Sequence, residues 1–306
     1  MASVKVAAIQ LEPKIGDVQA NLAACKNMAD EAGQKGAKWI VLPEFFATGM
    51  AFDPDIVDAI EPPNGPALAL LLDLAKRHQA FVGGSFIVRD EDSSVRNAFY
   101  LVSPQGILGR HDKDLPTMWE NCFYTSGSDD GIIKAQEHRA GVSLCWEFMR
   151  SQTARRLRNN VDVIVGGSCW WSVPQWSPKA LTYRWEQQNQ QNAHESVRAF
   201  ASYVGAPVIH AAHVGAIECR LPGVPLNYKG YYEAGSMIVD AQGNMLAFRD
   251  RHAGQGLVMA DIRIGRTTPV QEIPATYWLH QRGPIPSLAW TYQRWHGKHW
   301  YKKHVA

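Results

Sequence analysis

Apolar positions along this chain fall into short continuous runs separated by segments of helical period. The runs Val4–Gln10, Trp39–Leu42, Ala80–Val88, Asn97–Val102, Ala140–Cys145 and Val163–Gly166 read as strands. So do Val208–Ala212, Gly235–Val239, Leu246–Phe248 and Leu257–Asp261. Between the first two, Asp17 is placed to cap a helix through about Gly36, with Val18, Leu22, Cys25 and Met28 on one face. Pro66 opens a second helix through about Gln79. Ser151–Asn159 reads as a third, and Pro178 starts a long polar helical stretch expected to break near Gln187–Gln191. Two halves of mixed strands with helices on their outer faces predict an α/β fold, a four-layer αββα sandwich. Residues 1–265 form one domain on this reading. Residues 266–306 form an aromatic, basic C-terminal extension without a clear period.

The bulk numbers narrow the function classes. A chain of 306 residues, 46% hydrophobic and 20% charged, can bury a full core. Its net charge of +2 gives no reason to expect nucleic acid or an anionic membrane as partner. The opening MASVKVAAIQLEP carries Lys5 inside its apolar run and reads as a strand rather than a signal peptide. The longest stretch free of acidic and basic residues, Ala199–Ile217, contains Tyr203, Pro207, His210 and His213. A helix end followed by a strand explains it better than a membrane span. Five cysteines without a C-x-x-C pair argue against a disulfide framework and a zinc site, and point to the cytoplasm.

Three chemistry-bearing residues follow strand-like runs: Glu44 after WIVLP, Lys113 after ILGR in the segment RHDKDLPTMWE, and Cys145 after GVSL. Catalytic groups gather where strands of an α/β core end. Taken singly, each also fits an ordinary role as loop acid, surface charge or small core residue. Together the segments LPEFF, KDLP and SLCWEF resemble the three signature segments of the nitrilase, or carbon–nitrogen hydrolase, superfamily. The resemblance extends from about Val4 to Asp261, including VAAIQLEPKIGDVQANL and GSMIVDAQG at Gly235–Gly243.

That resemblance implies a Glu44, Lys113, Cys145 triad. It also implies a second acid, Glu120, which here precedes Phe123, Tyr124 and Gly127. The implied chemistry is cysteine-dependent hydrolysis of a carbon–nitrogen bond through a thioester. Glu44 acts as general base, and Lys113 with the Trp146 backbone N–H stabilises the oxyanion. Glu120 orients the substrate. No metal or cofactor is required. Cys169, Trp170 and Trp171 occupy the segment that lines the substrate site in this superfamily. Members also commonly dimerise, so the tail is expected at a subunit interface of a homodimer or higher even-numbered assembly.

Two decoys deserve separation. GGSCWW at Gly166–Trp171 contains a tetrapeptide resembling a papain-type signature, but Gly166 and Val163 stand where that signature wants cysteine and glutamine. His210 and His213 fall on opposite faces of one strand, which does not suit a shared metal. Substrate class is divided. Cys145-Trp146-Glu147 and K-x-x-P-T-x-x-E at Lys113–Glu120 point toward nitriles, whereas the modest length and the unusual Arg198–Ser202 segment point toward amides. A small-molecule amide is the first expectation, a nitrile the alternative, and a non-catalytic interaction module the remote one.

Overall fold

The computed structural model describes residues 3–176, 178, 182–280 and 284–306. In chain order the first half comprises β1 (Val4–Leu11), α1 (Val18–Gln34), β2 (Trp39–Val41), α2 (Asp55–Asp58), α3 (Pro66–His78), β3 (Phe81–Arg89), β4 (Val95–Ser103) and β5 (Gly106–Asp112). The second comprises β6 (Ile132–Ala135), β7 (His138–Leu144), α4 (Ser151–Leu157), β8 (Val163–Ser168), α5 (Tyr183–Val204) and β9 (Val208–His213). It continues with β10 (Ala216–Arg220), β11 (Asn227–Tyr231), β12 (Ser236–Val239), β13 (Met245–Arg249), β14 (Gly256–Ile262) and α6 (Pro284–His304).

The strands follow one path, β5-β4-β3-β2-β1-β9-β8-β7-β6, with β14 on β1 and β12 on β9. The halves meet where Gln10 and Leu11 of β1 pair in parallel with Ala212 and His213 of β9. Val6 and Ala8 face a central apolar layer shared with Val142, Val165, Ile209 and Ile238 of the other half. Ala7 and Ile9 face outward under Cys25, Met28, Leu71 and Leu74 of α1 and α3. Val197, Phe200 and Ala201 of α5 cover β8 and β9 on the far side. This is the αββα sandwich. Strands covered on both faces must be apolar on both, which is why they read as unbroken runs.

Local signals behave as expected at several element ends. The Asp17 carboxylate accepts the Ala20 N–H at 3.0 Å, and Pro66 takes the first turn of α3, whose C-cap Gln79 is left-handed. Other expectations are corrected. Helix α5 begins at Tyr183 rather than Pro178, and it runs unbroken through Gln187–Gln191. The polarity there reflects a surface-facing helix, not a break. Residues 179–181 lie outside the described residues.

The last part of the tail is a 21-residue helix, α6, laid across the turn Met118–Cys122. Gly297 allows that approach, since a Cβ there would sit 2.5 Å from Asn121 Cβ. The Tyr301 hydroxyl accepts the Val95 N–H at 3.0 Å, and Trp300 packs on Phe52 and Phe123. Several tail rings are therefore covered by their own chain, while Leu288, Tyr292 and Trp295 stay exposed. Among the described residues no helix is long and apolar enough to cross a membrane.

Candidate active site

Glu44 follows β2, Lys113 follows β5 and Cys145 follows β7, so the strand ends bring all three together. The Lys113 ammonium lies 2.8 Å from Glu44 Oε1 and 2.7 Å from Glu120 Oε2, with all three side chains fully buried. A buried charge persists only when paired and hydrogen-bonded, and here one cation is shared by two acids. The remaining lone pairs are largely used. Asn97 Nδ2 donates to Glu44 Oε1 at 2.9 Å, and the Cys169 N–H donates to Glu44 Oε2 at 2.9 Å. Glu120 Oε2 accepts the Thr117 N–H at 2.8 Å and the Tyr124 phenol. Glu120 Oε1 is buried without a partner.

Burial, aided by the nearby charge of Glu120 and opposed by Lys113, raises the Glu44 carboxyl to about 7. Burial works against the Lys113 charge, but Glu120 and Glu44 outweigh it and hold the ammonium protonated well above its usual range. The Cys145 thiol, 1% exposed, is pushed up by burial and by Glu44, against Lys113 and a hydrogen bond from the Trp146 N–H. Its sulfur and one oxygen each of Glu44 and Glu120 lie within 4.8 Å of one another. A neutral thiol thus faces a carboxylate able to take its proton near neutral pH.

The three loops share a backbone signature. Phe45, Met118 and Cys145 have φ of 56°, 52° and 50°, the left-handed region that costs residues with a Cβ about 1–3 kcal/mol each. Such geometry survives only where surrounding packing enforces it. Behind the lysine, Gly127 donates to the Lys113 carbonyl at 2.8 Å. A Cβ at Gly127 would fall 2.0 Å from the Asp112 oxygen, so only glycine fits there.

The walls around Cys145 are Trp146, Met149, Trp170 and Ala193, with Met118, Trp278 and Trp290 packed against them. Trp146 stands 6.1 Å from Trp170 and 5.7 Å from Trp278, centroid to centroid. Of the three residues expected to line the site, Trp170 packs in the cluster of Cys145, and Cys169 meets Glu44 through its backbone N–H. Trp171 sits in a neighbouring cluster, 4.2 Å from the Trp119 ring, with its indole N–H on the Met50 carbonyl. Open clefts of about 350 and 460 Å³ lie elsewhere, both bordered by Phe52, Asp53 and Pro54.

Sequence reasoning missed Asn97, Trp278 and Trp290. Asn97 lies inside a strand, and the two tryptophans lie in a tail without period, so none carries a local signal. Two donor triads exist among the described residues, Glu44/Glu120/Cys145 and His111/Asp114/Glu147. The Lys113 ammonium already supplies the cation of the first. In the second, Arg156 pairs with Asp114 at 2.9 Å and backbone N–H groups occupy Glu147. His210 and His213 are buried apart, on Ser168 with the Gly235 carbonyl and on the Glu44 carbonyl respectively.

Residues 5–272 match the model of the carbon–nitrogen hydrolase family. A nitrilase from Pyrococcus abyssi is 28% identical over 193 residues, covering 59% of this chain and 70% of its own. A cyanide hydratase from Botryotinia fuckeliana is 24% identical over 291 residues, covering 86% and 76%. Among solved structures, a mutant of the amidase from Nesterenkonia sp. AN1, seen after Michael addition of acrylamide to its active-site cysteine, superposes with a TM-score of 0.65. That pair is 16% identical over 85% of this chain and 93% of the other. With a match spanning most of its length, the chain belongs to the carbon–nitrogen hydrolase family.

Proposed function

We propose that this protein hydrolyses a small-molecule amide to an acid plus ammonia or an amine, through a thioester on Cys145. Glu44 takes the thiol proton as the sulfur attacks the carbonyl carbon. The Lys113 ammonium and the Trp146 N–H face the oxyanion that forms, a contribution of roughly 3–4 kcal/mol per donor. Glu44 then returns its proton to the departing nitrogen and activates the water that cleaves the thioester. An acid raised to about 7 suits both halves of that cycle. The ionisations of Glu44, Glu120, Lys113 and Cys145 are coupled, so the group titrates as a set.

The observation that carries the amide reading is Glu120 Oε1, a buried acceptor without a donor. An amide –NH2 brings the donor this oxygen lacks, and a nitrile nitrogen brings none. Nitrile hydrolysis by the same residues is the second reading. The Cys145-Trp146-Glu147 segment favours it, as do relatives named nitrilase and cyanide hydratase. A purely structural role for the fold is disfavoured by the strain and charge burial concentrated at these loops. Five free cysteines fit a cytoplasmic enzyme.

Matched pairs of amide and nitrile with the same acyl group decide between the two, with ammonia and acid both followed. Turnover of amides alone supports the first reading. Turnover of nitriles with inert amides overturns it.

A further inference from the structure

Behind the reacting groups, away from Glu44 and Glu120, lies a second buried charge assembly. His111 is the penultimate residue of β5, and its ring is fully buried between two carboxylates. Its Nδ1 is 2.5 Å from Asp129 Oδ1, and its Nε2 is 3.3 Å from Glu147 Oε2. Each carboxylate also binds main chain beside a catalytic residue. Asp129 Oδ2 accepts the Asp112 N–H at 2.8 Å, and Glu147 Oε1 accepts the Asp114 N–H at 2.7 Å. These are the peptide N–H groups of the residues on either side of Lys113. Glu147 Oε2 in turn accepts the Leu144 N–H at 2.8 Å, from the residue just before Cys145.

We propose that Glu147, braced by His111 and Asp129, is the positioning residue that sets Lys113 and Cys145 at their working separation. One carboxylate holds the lysine loop with one oxygen and the nucleophile turn with the other. Neither loop can move without breaking a charge-assisted hydrogen bond in a dry interior, where such bonds are strongest. The bracing explains how Cys145 keeps its left-handed backbone although nothing in its own residue type favours it. His111 supplies the positive charge that lets the buried Glu147 and the more exposed Asp129 share one assembly; burial alone would discharge it, but Glu147 and Asp129 keep it protonated up to about 10. Arg156, on Asp114 and near the Asp129 carbonyl, closes the outer side, and Arg150 adds positive charge beside Glu147.

This inference rests on the reading of Cys145 and Lys113 as reacting groups. The test is steady-state kinetics on an amide substrate for E147Q, H111Q and the double variant, with rates per folded site and C145A as control. In E147Q an amide NH2 replaces one acceptor, so one of the two N–H bonds is lost. Each single variant is expected to lose roughly 10- to 100-fold in kcat with KM within about threefold, because misplacing a reacting group costs rate rather than binding. The double variant should be no worse than the poorer single one, since the residues act as a unit. A kcat within about threefold of wild type in both singles, or losses that multiply in the double, overturns the proposal. Should E147Q fail to fold, H111Q and D129N carry the same comparison. Activity surviving in C145A instead overturns the site reading, and the positioning role with it.

Discussion

The backbone N–H of Cys169 donates to Glu44 Oε2 at 2.9 Å, so the residue that most resembles a rival nucleophile holds the acid proposed as base for Cys145. Only its main chain takes part. C169A is therefore expected to keep most of the wild-type kcat, whereas C145A should lose turnover entirely. Mass spectrometry after brief iodoacetamide treatment should find label on Cys145 ahead of the other four cysteines. Loss of activity in a folded C169A with C145A still active would reverse the assignment.

Asn97 hydrogen-bonds to the charged form of Glu44. Removing that bond in N97A favours the protonated acid and raises its pKa further above about 7. A base must be ionised to act, so the acid limb of the kcat/KM profile should move toward higher pH. A hydrogen bond to a charged carboxylate corresponds to a shift of about one to two pH units. A limb that stays in place, or moves toward lower pH, would separate Asn97 from the base.

The His111 bridge predicts a stability signature. The folded pKa of His111 is raised from 6.5 to about 10, so its contribution is complete below 6.5 and fades as pH climbs to about 10. Burial disfavours the charged Asp129 and Glu147, but His111 and their hydrogen bonds hold both at about 2. Their share is complete above the ordinary carboxylate range and is lost as pH falls toward 2. The difference in melting temperature between wild type and H111Q should be widest near pH 5–6.5 and should narrow toward pH 10. A difference that grows with pH would contradict the charge assignment.

The aromatic walls make separable predictions. Trp170 shares a cluster with Cys145, so W170A should reorder substrate preference, read as kcat/KM across amides of different acyl size. Trp171 packs on Trp119 with its N–H satisfied, so W171A should behave as a core truncation costing about 3–5 kcal/mol. Equal effects on substrate ranking would remove the distinction.

On α6, Leu288, Tyr292 and Trp295 are 74%, 40% and 63% exposed. The expected even-numbered assembly would cover such a flank. Sedimentation should give a dimer or larger even species for wild type and a smaller one for W295E. Equal masses would place the contact elsewhere.

Much of this was legible in the chain because of how the layers cover one another. β1 reads as a strand because helices cover Ala7 and Ile9 on one side while the opposing sheet covers Val6 and Ala8 on the other. Glu44 and Cys145 were legible because each follows such a run, and Lys113 because it follows the half-buried strand β5. Helix α6 was not, because it meets the turn at Met118–Cys122 and separate residues such as Phe52 and Val95 through scattered rings and Gly297 rather than a periodic apolar stripe. The hairpin of β10 and β11 alternates over five residues a side, too short to stand out from its loops. Asn97 and His111 acquire meaning only from partners far along the chain, 53 residues away at Glu44 and 36 at Glu147.

The shared ammonium of Lys113 also constrains how the chain reaches this shape. Strand β5 cannot bury that charge against Glu44 alone and leave the opposite side unfinished, since a buried cation short of partners is strongly destabilising. The acids come from before and after it in the chain, and the thiol turn comes later still. Any partly collapsed form must leave the lysine in water, and the last step of folding has to close both flanks at once. Catalytic competence and completion of the tertiary structure should therefore appear in refolding as one kinetic phase, with no dim activity preceding it.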